Sequence, residues 1–225
     1  AMIALRLMAA SVAALLIGAQ AQAADIALYP TGPAQDSAFI RFVNATAAPL
    51  QVVAREGQAP LQLDAAKPVS LFFAVQASSS IKGTLISSEK KLPMDVSVEP
   101  GEFATVVLTV QADGSLAPVT VREQPDDFNG LKASLAFFSL DAGCVEASLR
   151  PTGRTADLFK AIPTGTLQRR SINPVSLSVQ LVCANATVGA PLDLGELKAG
   201  ERYSVLLVPS ATGPRLLSAT DTLSN

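Results

Sequence analysis

The sequence has 225 residues, 17 of them basic against 19 acidic, with 49% hydrophobic and 16% charged residues and neither histidine nor tryptophan. So much apolar and so little charged content excludes a disordered chain. Mild acidity, with no basic cluster beyond Arg169-Arg170, argues against a nucleic-acid partner. The absent histidine excludes a Ser-His-Asp or Cys-His nucleophile system built from one chain, and with it the usual zinc, copper and non-haem iron donor sets.

In chain order, Arg6 supplies a positive n-region, Leu7 to Ile17 is an apolar run of eleven residues, and Ala21-Gln-Ala23 is a small-x-small cleavage site. The run is too short for a bilayer, which needs about 20 residues. Residues 1–23 therefore read as a secretory signal peptide. Its removal leaves 202 of the 225 residues, soluble, with 16 basic against 19 acidic groups.

Beyond it, short clusters of Val, Ile, Leu, Phe and Thr alternate with turns drawn from 15 Pro and 14 Gly. This pattern predicts many short strands. Ala24 to Pro30 opens, followed by Phe39–Val43 and Leu50–Ala54. Val69–Val75 is expected to be a central strand buried on both faces. Ile81–Ile86, Met94–Val98, Phe103–Val110 and Val119–Val121 close a first unit. Arg122 to Leu131 is polar, carries Pro125 and Gly130, and reads as a linker. The second unit runs through Leu135–Leu140, Val145–Leu149, Leu167–Ile172, Val175–Val182, Leu192–Leu194, Tyr203–Val208 and Leu216–Ala219, with one helical turn at Thr155–Phe159.

The units echo each other. Ala38–Asn44 matches Ser134–Leu140 at an offset of 96, and Pro100–Leu108 matches Ala199–Leu207 at an offset of 99. The expected architecture is all-β: two tandem immunoglobulin-like β-sandwich domains, 24–122 and 132–225, joined by a short linker, 123–131. Cys144 and Cys183, the only cysteines, both lie in the second unit, and alternation along Val175–Cys183 aims the second sulfur at the core. In an exported chain they are expected to pair, the alternatives being a free thiol or an intermolecular bridge. Closing that loop would stabilise the fold by roughly 4 kcal/mol in the chain-entropy model.

No catalytic site emerges. Asp126-Asp127 is the one adjacent acidic pair, but neighbouring residues of an extended segment point opposite ways and cannot flank one bond. Glu102 and Glu201 follow the repeated glycines and read as exposed turn residues. Tyr203 stands where a sandwich would use a tyrosine corner. Asn44-Ala-Thr46 and Asn185-Ala-Thr187 are formal glycosylation sequons, relevant only on a eukaryotic secretory route. Arg169 and Arg170 could clamp a carboxylate, or be one exposed residue and one cross-strand ion pair. Phe128 either docks between the units or anchors a partner. The candidate interface is thus Pro125, Asp126, Asp127, Phe128, Arg169 and Arg170, with no metal and no cofactor.

Four stretches, Asp25–Pro33, Arg122–Asn129, Gly153–Lys160 and Gln168–Pro174, together resemble the AlgF family of alginate biosynthesis proteins, in order, from about Asp25 to the C-terminus. The resemblance implies a periplasmic accessory protein of alginate O-acetylation. Such a protein would work beside a membrane-bound acyl carrier and periplasmic acetyltransferases, and the resemblance carries over no catalytic motif. Two readings follow. One is a non-catalytic adaptor scaffolding the acetyltransferases by protein–protein contacts; the other is a carbohydrate-binding module presenting the polyuronate to them. Net negative charge and scarce aromatic residues favour the first.

Overall fold

The computed structural model describes residues 37–54 and 59–225. The signal peptide and the Ala24–Pro30 strand expected from the sequence lie outside them. Every element among the described residues is a strand. The first half contributes β1 (Ser37–Asn44), β2 (Leu50–Val53), β3 (Leu61–Leu63), β4 (Phe73–Gln76), β5 (Ser80–Ser87), β6 (Lys90–Ser97), β7 (Phe103–Val110) and β8 (Leu116–Glu123). The second contributes β9 (Ala133–Ser139), β10 (Ser148–Pro151), β11 (Thr166–Ile172), β12 (Val175–Cys183), β13 (Ala186–Leu197), β14 (Arg202–Val208) and β15 (Arg215–Thr220).

Four sheets result, with strand orders β4-β1-β7-β8 and β3-β2-β5-β6 in the first half, β11-β9-β14-β15 and β10-β12-β13 in the second. Alternation decides what each sheet buries. Ile40 and Phe42 of β1 meet Leu50, Val52, Leu85, Met94 and Val96 of the facing sheet in one core. Leu135 and Phe137 of β9 meet Leu149, Val179 and Leu181 in another. Each half is therefore a β-sandwich. The strand order departs from the immunoglobulin one, in which the first strand lies beside the second. Here the first strand of each half sits between an antiparallel neighbour and a parallel one, β7 or β14. What stands is an all-β chain of paired sheets in which the order of the central sheet is written twice, while the facing sheet of the second half lacks a counterpart of β3.

The repeat has a register that differs by one residue from the offset of 96 expected for the first strands. Phe39 N–H donates to Glu102 O at 2.9 Å, and Ser134 N–H donates to Glu201 O at 3.0 Å. Phe39 thus corresponds to Ser134, an offset of 95. One residue matters because it exchanges the two faces of a strand. At the observed offset Ile40 and Phe42 match the core residues Leu135 and Phe137, while Val43 and Ala45 match Phe138 and Leu140. The offset of 99 for the later strands agrees with the pairing, and Gly101 and Gly200 turn the chain before β7 and β14 with φ of 76° and 84°. A side chain is strained at such φ, so glycine is needed in both copies.

A third core lies between the halves. Val43, Ala45, Val107 and Val121 of the first pack against Phe138, Leu140, Leu206 and Val208 of the second. Each such Val, Leu or Phe contributes about 1.5–3 kcal/mol when fully buried. The central sheets are consequently covered on both faces, which is why β9 is buried along its whole length. The tail of the second half also reaches the first: Phe72 N–H donates to Thr222 O at 2.9 Å and Ser224 N–H to Phe72 O at 2.7 Å.

Other expectations need correction. Val69–Val75 is not a doubly buried central strand. Only Phe73–Gln76 forms β4, at a sheet edge and half-exposed. Ser70 interrupts the run by accepting the Phe42 N–H with its hydroxyl. Thr155–Phe159 is no helical turn: Phe159 bridges Leu149 and is buried in the second core. Strand β13 is twelve residues long where three were expected, because bulged pairing with β12 compensates for its interrupting Gly and Pro. Cys144 and Cys183 form the intramolecular disulfide.

Candidate functional site

At one end of the third core the apolar layer gives way to buried charge. Arg41, on the face of β1 opposite Ile40 and Phe42, is 1% exposed. Its Nε donates to Thr105 Oγ1 at 3.0 Å, Nη1 to Asp221 Oδ1 at 2.6 Å and Nη2 to Ser204 Oγ at 3.0 Å. The guanidinium lies 4.5 Å from the Phe72 ring centre and 5.4 Å from that of Phe138. Arg169 of β11 donates through Nε to both Glu123 oxygens, through Nη1 to Ser134 Oγ, and through Nη2 to Asp221 Oδ2 at 2.9 Å. Arg202 reaches Asp126 at 2.7 Å and Glu123 at 3.5 Å. Three cations thus face three carboxylates, and the pairs Arg41–Asp221, Arg169–Glu123 and Arg202–Glu123 cross the junction.

Burial is the largest influence on Asp221 and pushes its carboxyl up. The charges of Arg41 and Arg169 and the Ser204 hydrogen bond outweigh it and hold Asp221 below the usual carboxylate range. Burial lowers Arg41 despite its pairing with Asp221. Arg169 is also disfavoured by burial, but its hydrogen bonds and attraction to Glu123 and Asp221 carry it above the ordinary arginine value. Breaking a buried pair by removing one partner typically costs about 3–5 kcal/mol. This end of the junction is a lock.

The expected interface residues divide around it. Arg169 is inside the network and its guanidinium is largely withdrawn from solvent. Arg170, on the other face of β11, is exposed and donates to Leu158 O at 2.6 Å. Asp126 is held by Arg202, whose guanidinium also stands 5.5 Å from the half-buried Phe128 ring. Pro125 lies against Gly101, and Asp127 is exposed. Beside them Leu131 is 82% exposed, more than any other large apolar side chain among the described residues. Arg41, Glu123, Asp221, Arg202 and Leu131 escaped the sequence reading. Only Arg41, a charge inside Phe-Ile-Arg-Phe-Val, carried a signal that could have flagged it.

Other polar expectations change too. Glu102 is buried, accepting from Arg122 at 2.6 Å and Gln124 at 2.8 Å, while Glu201 is exposed; the two matching positions are not equivalent in environment. Asn44 is buried and donates to Ala48 O and Leu63 O, so the first sequon is inaccessible. Tyr203 Oη accepts from Lys198 N–H at 2.9 Å, five residues upstream, as a tyrosine corner does. Among the described residues no cluster of three acidic or cysteine side chains could hold a metal.

The class defined by this fold is an all-β protein of two sandwiches joined through a shared core. A family model described as "Alginate O-acetyl transferase AlgF" matches residues 10–204, and the chain belongs to that family. As a member of that family it has a non-catalytic accessory role in alginate O-acetylation. Among solved structures, the C-terminal domain of AlgF from P. aeruginosa is similar at 21% identity and a TM-score of 0.34, covering 40% of this chain and 98% of that one. A putative cell adhesion protein from Bacteroides uniformis ATCC 8492 is similar at 10% identity and a TM-score of 0.29, covering 86% of this chain and 100% of that one. No curated protein matches.

Proposed function

We propose that the protein is a periplasmic adaptor. In this reading domains 24–122 and 132–225 present the connecting segment 123–131 to the membrane-bound and periplasmic alginate acetyltransferases. The carrying observation is the segment's construction. Arg202 pins Asp126 and covers Phe128, while Leu131 stays 82% exposed. A fixed backbone that displays apolar and acidic side chains meets a partner at low entropic cost. The contacting residues are then Pro125, Asp127, Phe128 and Leu131. Asp126 and Arg169 hold them in place, and Arg170 lies on a separate face.

Affinity capture from a periplasm-plus-membrane extract tests this, with the protein as bait. Acetyltransferases should be recovered from polymer-free extract, and Leu131→Ser with Phe128→Ala should reduce recovery about tenfold, a typical loss for truncated interface anchors. Recovery only after alginate is added would replace the adaptor by a polymer-presenting module.

A further inference from the structure

The opposite end of the third core is open. Where the two central sheets diverge, the β7–β8 and β14–β15 hairpins and the loops after β1 and β9 enclose a part-open cleft of about 810 Å³. Its walls are short apolar side chains, among them Ala45, Ala112, Leu140 and Ala211. Polar side chains break that surface, among them Thr46, Gln111, Thr164 and Ser210, and two more have a buried atom without a partner among the described residues. Thr109 is 5% exposed and its Oγ1 has no hydrogen-bond partner among the described residues. Arg215 lines the same cleft; its buried Nε is likewise without a partner, and among the described residues it makes no ion pair. Buried polar atoms are ordinarily satisfied, and each exception asks for a cause. Asp141 also lines the cleft, but its Oδ1 accepts the Gly143 N–H at 2.8 Å and so closes its own loop.

We propose that this cleft binds an extended, acidic segment of a protein partner, with Arg215 pairing its carboxylate and the Thr109 hydroxyl donating to the same group. Guanidinium and hydroxyl together match a carboxylate's acceptors. The alanine walls admit a peptide backbone closely, and the absence of any aromatic side chain among the lining residues disfavours the stacking that sugar rings use. The site rests on the adaptor reading for its biological partner, but it is a surface separate from 123–131.

The test is a titration of the ¹⁵N-labelled protein with acetyl-Ala-Glu-Ala-amide, acetyl-Ala-Gln-Ala-amide and a mannuronate trimer. The Glu peptide is expected to shift amides of Thr109–Gly114 and Ser210–Gly213. The Gln peptide should bind about tenfold more weakly, as should the Glu peptide to Arg215→Gln, the scale of losing one charge-assisted pair. Thr109→Val should weaken binding about threefold or more. Neither variant removes a side-chain hydrogen bond seen among the described residues, so both should fold. No shift at millimolar Glu peptide, equal binding of the Glu and Gln peptides, or shifts from the trimer alone would each overturn the proposal. Undiminished capture of acetyltransferases by wild type beside a silent peptide titration would overturn the cleft and leave the adaptor reading in place. Peptide binding without capture would do the reverse.

Discussion

The two ends of the layer between the sandwiches are built by the same strands and behave oppositely. On β7, Thr105 and Thr109 point into that layer four residues apart. Thr105 accepts from Arg41, whereas the Thr109 hydroxyl is unpartnered. In the second sandwich Arg169 and Arg215 repeat the contrast, one inside a network of two carboxylates and the other unpaired among the described residues. The difference comes from divergence within the duplicated pattern. Glu123 and Asp221 both follow from the last strand of their repeat, opposite Phe103 and Arg202, and Thr105 corresponds to Ser204. Arg41 corresponds to Ala136, so at this position of the first strand only the first copy projects a cation into the shared layer. One copy lends the charge and the other lends Asp221 to receive it. A duplicated fold thereby acquired an interface that joins unlike halves.

The largest expected effect breaks the locked end. Arg41→Met should cost about 3–5 kcal/mol in urea unfolding, because Asp221 loses one of its two cations inside the protein. Adding Asp221→Asn should recover part of that loss, since the uncompensated charge is then gone; strict additivity would show that the two groups are not coupled.

Acid should act on the same end. Asp221 is held below an unfolded aspartate's value, so near and below pH 4 the unfolded chain binds more protons than the folded one. The stabilisation is therefore complete above about pH 5 and is lost as the pH falls through the unfolded and then the folded value. The urea midpoint should fall from about pH 5 downward, and Asp221→Asn should flatten that fall.

A smaller pair of effects sharpens the contrast along β7. Thr105→Val, which strips an acceptor from a buried guanidinium, should cost about 1–3 kcal/mol. Thr109→Val, which removes a buried hydroxyl without a partner among the described residues, should leave the urea midpoint unchanged or raise it. Equal losses at the two sites would abolish the distinction between a locked and an open end. Least of all, Leu131→Ser should leave the urea midpoint within about 0.5 kcal/mol of wild type, as surface substitutions do.

How much of this was legible in the chain follows from the range of each physical cause. Alternation, turn residues and the two cysteines are local signals, and they determined an all-β chain, a repeated unit, the polar segment 123–131 and the pairing of Cys144 with Cys183. Val69–Val75 misled because a continuous apolar run looks alike whether it is a buried strand or an edge interrupted by Ser70. The true offset of the repeat was equally invisible by eye, since slipping Ala38–Asn44 by one residue preserves an apolar pattern while exchanging its faces. The tertiary structure alone decided what covers each outward face. Val43, Val107 and Phe138 could have faced water or a partner, and Arg41 could have been an edge charge. Only the stacking of one central sheet on the other buries them, and that contact joins residues as distant in the chain as Arg41 and Asp221.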